Sequence, residues 1–292
     1  MELAKRTIDE TKPTIVIVSY NRVFVEIVSA LVETLKSRGF KVIVIPYLLK
    51  ENENERYIYF DLAHMIGKLP KKYIVYQYEQ TKTSSWFTGR YMEQLRNAEM
   101  VWDYSKSNIE WLKEQNIKNL VYVPFGYSPC LDYYRCDDEQ PIDILFYGSL
   151  NDRRKDILTR LKKKGLRVSV HENNLFGLER DKLICKSKII LNLHYYTPGI
   201  LQVSRLVPLI SNEIFVVSEP CQRNFETNQE YTDYVIFSDF DTIVETCCHW
   251  VKNGLERRSF VQKAYQKFMT SNSMEKSFPW KAVFGNTISD IN

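Results

Sequence analysis

The sequence predicts an α/β protein made of two similar domains, each built on a parallel sheet. Three observations carry this. Short apolar runs alternate with helix-periodic stretches along the chain, the pattern of successive βαβ units. The alternation breaks once, at Ser128 to Pro141, and then restarts. Polar residues gather where the apolar runs stop, as they do at the ligand-binding edge of an open parallel sheet.

In the first domain, residues 1–127, Thr14 to Ser19 reads as a buried strand and Tyr20-Asn21-Arg22 as a turn. A helix to Arg38 follows, with Val25, Val28, Leu31, Val32 and Leu35 on one face and Gly39 closing it. Strands are expected at Lys41 to Tyr47, Tyr57 to Leu62, Tyr73 to Tyr78, Met100 to Tyr104 and Leu120 to Val123. Helices are expected at Trp86 to Asn97 and through Glu114, the latter opened by the capping-box spacing of Ser107 and Glu110.

Residues 128–141, polar and acidic with Pro129 and Pro141 near the ends, read as a linker. The second domain, 142–276, opens with a strand at Asp143 to Tyr147 and the tight loop Gly148 to Asn151. Asp152 then caps a helix from Arg153 to Lys164. A strand at Leu166 to Val170 and a helix at Gly177 to Lys186 lead to the stretch that organises the domain, Lys188 to Pro220. It reads as strand, loop (Thr197-Pro198-Gly199), helix (Leu201 to Ile210) and strand (Ile214 to Val217). A strand at Tyr234 to Phe237 and helices at 242–253 and 257–269 complete it, and residues 277–292 form an aromatic tail segment.

Composition narrows the function. The 292 residues are 44% hydrophobic and 26% charged, with a net charge of +4, as in a globular protein with no dominant basic field. Dispersed basic residues argue against nucleic-acid binding. The charged N-terminus reads as no signal peptide, and no apolar run nears the length of a membrane span. Peripheral membrane contact stays open. The six cysteines include no C-x-x-C pair, so reduced thiols in a cytoplasmic protein are expected, with Cys185, Cys247 and Cys248 as small core residues.

Four sets of residues could carry chemistry. Gly148 and Ser149 precede a helix whose first turn holds Arg153 and Arg154. A glycine permits close backbone approach, and cations placed against the helix dipole point to an anionic ligand. His194, Tyr195 and Tyr196 follow a strand, and Gln202 and Arg205 lie three apart on the next helix; an arginine there can hold phosphate. Glu79 and Asp103 end strands of the first domain, where a carboxylate can act as a base toward a hydroxyl. Asp239-Phe240-Asp241 has a metal-site look, but Asp241 is better read as a helix cap. P-loop and G-x-G-x-x-G motifs are absent.

The strings ILFYGSLNDRRKDIL, FGLERDKLICKSKIILNLHYY and LQVSRLVPLISNEIFVVSE, with YIVYQYEQ, MVWDYSKSNIEWL and VPFGYS in the first half, resemble GT-B glycosyltransferases. The closest resemblance is to group-1-like, CgeB-related proteins of bacteria and large DNA viruses. It implies two Rossmann-like domains facing across a cleft and a cytoplasmic hexosyl- or pentosyltransferase. Such an enzyme moves a sugar from a nucleotide-diphosphate sugar to a glycan acceptor, with no metal and no further cofactor. It places Gly148, Ser149, Arg153 and Arg154 at the phosphates, His194 to Tyr196 in the donor pocket, Arg205 near diphosphate or sugar, and Ser218 and Glu219 on the nucleotide side. The tail around Trp280 crosses back to the first domain. Related retaining enzymes carry a Glu where this chain has Gln202, and a second where it has Ile210. A degenerate nucleotide-sugar or glycan binder and a nucleotide-sugar epimerase are the alternative readings.

Overall fold

The structure, a computed structural model, describes residues 8–60, 62–65, 68–134, 136, 139–172, 175–197, 199–221 and 225–285. Pro198 of the expected loop and the tail beyond Gly285 lie outside the described residues. The chain forms two compact units. One runs to Cys130 and takes in the chain from Ser273 on; the other is Leu131–Asn272.

The first unit holds β1 (Thr14–Val18), α1 (Val25–Ser37), β2 (Val42–Ile45), β3 (Glu55–Tyr59), β4 (Ile74–Gln77), α2 (Gly89–Asn97), β5 (Met100–Asp103), α3 (Lys106–Glu114) and β6 (Leu120–Tyr122). Its strands form one sheet in the order β2-β1-β3-β4-β5-β6, and every pairing is parallel. Ile15, Ile17, Ile58, Ile74, Val75 and Val101 are wholly buried, as strands covered on both faces require. Gly39, at φ +79°, turns the chain out of α1 in a conformation that favours glycine. The expected capping box is displaced: Ser105, not Ser107, caps α3 by accepting from the Asn108 N–H. After the second unit, α10 (Met274–Ser277) and α11 (Trp280–Phe284) belong to this one. Phe284 stacks on Phe40 at 4.6 Å, and the Met274 N–H donates to the Tyr127 carbonyl.

The second unit holds β7 (Ile142–Tyr147), α4 (Asp152–Lys163), β8 (Val168–His171), α5 (Gly177–Cys185), β9 (Ser187–Asn192), α6 (Val203–Ile210), β10 (Val216–Ser218), α7 (Phe225–Tyr231), β11 (Ile236–Phe237), α8 (Ile243–Lys252) and α9 (Gly254–Ser271). Its sheet runs β11-β10-β9-β7-β8, again all parallel. From β7 the chain steps outward to β8, then crosses to β9 on the other side. The strand order therefore reverses between β7 and β9, the point where open α/β sheets leave a crevice beyond their carboxyl ends.

Three local expectations are corrected in this unit. Asn151, not Asp152, caps α4, because its side chain accepts from the Arg154 N–H at 3.0 Å. Thr242, not Asp241, precedes α8. Cys185 is not a reduced core residue: it is disulfide-bonded to Cys136, 49 residues earlier. On the chain-entropy account, a crosslink over that span stabilises by roughly 4 kcal/mol.

Candidate functional site

At the carboxyl end of β7 the backbone passes through Gly148 at φ +130°. Its N–H donates to the His171 carbonyl at 3.0 Å, which fixes the loop against β8. A Cβ at this position would lie 3.2 Å from Arg205 Nη2 and 3.9 Å from Arg154 Nη1. Two guanidiniums thus converge over the one residue that leaves them room.

Arg154 comes from the first turn of α4 and is 3% exposed. It donates to the Ser149 carbonyl at 2.6 Å and to the Leu193 carbonyl, and lies over the Phe146 and Tyr195 rings. Its Nε is buried without a partner among the described residues. Burial, followed by the charge of Arg205, pulls its pKa down to about 10, so it stays charged at neutral pH. Arg205, from α6, is half-buried, donates to Asn192 Oδ1 at 3.3 Å and lies 4.6 Å over the Tyr147 ring. Burial lowers its pKa as well. Among the described residues no carboxylate lies within ion-pair distance of either.

Arg153, on the same helix turn, is in a different position. It forms a two-contact ion pair with Glu219, one contact at 2.8 Å, and lies over Phe240. Glu219 is 2% exposed and also accepts from the His194 N–H at 2.8 Å. Glu219 and Arg153 therefore satisfy each other, which leaves Arg154 and Arg205 as the excess charge.

His194 is closed in. It is 2% exposed, and a Cβ on Gly199 would come within 2.6 Å of its Nδ1. Nε2 lies 3.0 Å from the Pro220 carbonyl, which can only accept, so Nε2 carries the proton. Nδ1 is then an acceptor, buried without a partner among the described residues. Burial lowers the pKa of the ring, against the pull of Glu219. Tyr195, by contrast, is exposed beside Arg154, and Tyr196 packs edge-on against it at 5.1 Å. Ser218 is fully buried: its hydroxyl donates to the Glu219 carbonyl and accepts from Asn192 Nδ2. Gln202 stands just before α6 and makes no side-chain cap bond. Ile210 is core, at 2% exposure.

Asn192 is the residue that sequence reasoning missed. It is fully buried at the end of β9, links Ser218 to Arg205 and accepts the Glu219 N–H at its carbonyl. The available signal was an amide ending an otherwise apolar strand. Asn151 was missed too; besides capping α4, it donates to the Tyr195 carbonyl at 3.0 Å.

In the first unit, Glu79 and Asp103 are brought together through Asn108. The Asn108 amide donates to the Glu79 carbonyl at 3.1 Å and to Asp103 at 3.2 Å. Asp103 is fully buried and also accepts from Gln77 at 2.6 Å and the Ser105 N–H at 2.7 Å. Burial pushes its carboxyl well above the usual range against those bonds. Glu79 is half-buried, with its carboxylate accepting from Ser84 at 3.0 Å.

No protein-family profile matches the chain. Its curated relatives include the uncharacterized protein R358 of Acanthamoeba polyphaga mimivirus, 32% identical over 62% of this chain and 65% of that one. The uncharacterized protein L140 of the same virus is 26% identical over 52% of this chain and 50% of that one. The match thus spans half to two-thirds of these relatives' length. Among solved structures, TarM superposes on 78% of this chain and 54% of its own, with a TM-score of 0.55 and 11% identity. The fold is GT-B. Its two parallel sheets, of six and five strands, are those described above.

Proposed function

We propose that the chain is a GT-B glycosyltransferase that moves a hexosyl or pentosyl group from a nucleotide-diphosphate sugar to a glycan hydroxyl, without a metal ion. One observation carries the reading: Arg154 and Arg205 converge over Gly148 at the strand-order reversal, and among the described residues neither has a carboxylate within ion-pair distance. Like charges held this close together are stabilised when an anion completes the site.

As the glycosidic bond breaks, negative charge grows on the departing diphosphate. Two guanidiniums held in place before the reaction stabilise that charge. Gly148 and Ser149 let the phosphates approach the backbone and the positive end of α4. Tyr195 offers an exposed ring at the donor. Arg153, Glu219, His194 and Ser218 hold the loops, and Asn192 aims Arg205. Glu79 takes the base role toward the acceptor hydroxyl, and buried Asp103 anchors its loop through Asn108.

A second reading, nucleotide-sugar or glycan binding without transfer, is favoured by the neutral Gln202 and the buried Ile210 at the two positions where retaining relatives carry Glu. Among the described residues no helix is long and apolar enough to cross a membrane. A cytoplasmic location is proposed from the sequence; the Cys136–Cys185 bond opposes it, and thiol labelling of freshly isolated protein decides between them.

Thermal melting with UDP, GDP, CMP and their sugar conjugates tests the donor site. Saturation at 100 times the dissociation constant stabilises by about 2.7 kcal/mol. One nucleotide class should raise the melting temperature, and Arg205→Ala should shrink the shift to about a third. No shift with any of them overturns the reading; a shift without sugar transfer to any acceptor supports the second.

A further inference from the structure

A groove of about 1090 Å³ lies in the first unit, between α1 and the edge strand β2. Nothing in its make-up serves the arginine site of the second unit. Its wall is a stripe of α1, with Val25, Val28 and Val32 spaced at helical intervals, and its floor is Val42 and Val44, on one face of β2. A parallel strand is ordinarily covered on both faces, yet Val44 is 46% exposed and Val25 is 55% exposed. A concave apolar surface with exposed side chains at its lip is the form that apolar ligand sites take.

The rim gives the occupant its charge. Arg22, Lys36 and Lys41 border the groove and are exposed. Among the described residues none of the three forms an ion pair. Among the described residues Glu33 is the sole acid on the lining, and its carboxylate already accepts from the Ser128 hydroxyl and the Cys130 N–H. The groove is thus apolar within and positive at its edge. A second copy of the chain fits it poorly, because a two-fold pairing would set these cations against themselves. From Val25 to Lys36 the stripe runs about 16 Å along α1, a length suited to one alkyl chain.

We propose that this groove binds a single-chain anionic amphiphile, its chain along Val25, Val28, Val32, Val42 and Val44 and its phosphate or carboxylate head at Lys36 and Lys41. The site is independent of the donor reading.

Calorimetric titration with decyl phosphate below its micellar concentration tests this, with octyl phosphate, decanol and decyltrimethylammonium as comparators. Decyl phosphate should bind about tenfold tighter than octyl phosphate, since each methylene contributes a few-fold, and clearly tighter than decanol. Exchanging both lysines, Lys36→Glu with Lys41→Glu, should remove the advantage over decanol. Val44→Asp should remove the dependence on chain length; if that variant misfolds by circular dichroism, Val25→Ser on the exposed helix face serves instead.

Equal binding of decyltrimethylammonium, or no dependence on chain length, overturns the proposal. So does a dimer in solution that Val25→Ser dissociates, which would make a second copy the occupant. Sedimentation with anionic phosphatidylglycerol vesicles without binding of free decyl phosphate also overturns it, and assigns the face to membrane attachment.

Discussion

The two ends of β7 each gather a carboxylate-or-cation cluster, and they are built in opposite ways. At its start, Asp143 is 6% exposed and accepts from Arg167 Nε at 3.1 Å, Arg167 Nη2 at 3.0 Å and Lys188 Nζ at 2.7 Å. Burial alone would raise its carboxyl, but the bonds from Arg167 and Lys188 outweigh it and hold the group below the usual range. At the other end of the strand, buried Arg154 and half-buried Arg205 lie close together, hydrogen-bonded to carbonyl and amide oxygens and stacked on aromatic rings, with no ion pair among the described residues. A closed ion cluster is a structural element. An open one stores repulsion that an anion relieves. The same contrast recurs within one helix turn, where Arg153 is ion-paired with Glu219 and Arg154 has no ion pair among the described residues.

The largest test of this contrast is Asp143→Ala. It leaves two cations without their acid, one of them largely exposed, and should lower stability by about 2–3 kcal/mol in chemical denaturation while leaving nucleotide binding unchanged. The acid limb of the wild-type stability curve tests the same cluster. Because the folded pKa of Asp143 is depressed, its contribution is present above about pH 4 and is lost as the pH falls through the folded value. Asp143→Asn should flatten that part of the curve. A loss of ligand affinity in either variant would break the comparison.

Arg205→Met should act in the reverse sense. Nucleotide-diphosphate affinity, read by titration, should fall roughly 30-fold, the loss of one charge-assisted contact worth about 2 kcal/mol. Stability without ligand should hold or rise, since one of two neighbouring like charges is removed. If it falls by more than 1 kcal/mol, the arginine pair is structural after all. The smallest effect is expected for Gly148→Ala. Its φ is strained for any side chain, and the new methyl would press on Arg205 at 3.2 Å. About 1–2 kcal/mol of stability should be lost, together with a weaker ligand contact in the same titration.

Much of the site's neighbourhood could be read from the residues. Gly148, the arginines after it, the residues following β9 and Arg205 were expected near one sheet edge, and they meet there because strand ends in a parallel sheet share an edge. Their roles could not be read. Arg153 and Arg154 are adjacent in sequence and equal in charge; what separates them is Glu219, 66 residues away. His194 looked like a pocket residue, but Gly199 packs against its ring. Asn192 drew no attention inside an apolar run, and it is the link between Ser218 and Arg205.

The sequence by itself determined two α/β units, parallel sheets and the edge at which polar groups collect, because periodicity, burial and turn chemistry are short-range properties of the chain. Tertiary structure alone decided which cation is neutralised, which cysteines join, and that among the described residues the β2 side of α1 stays uncovered. Each of these depends on a partner far along the chain or on one that is absent, and side-chain chemistry read in order carries no distance.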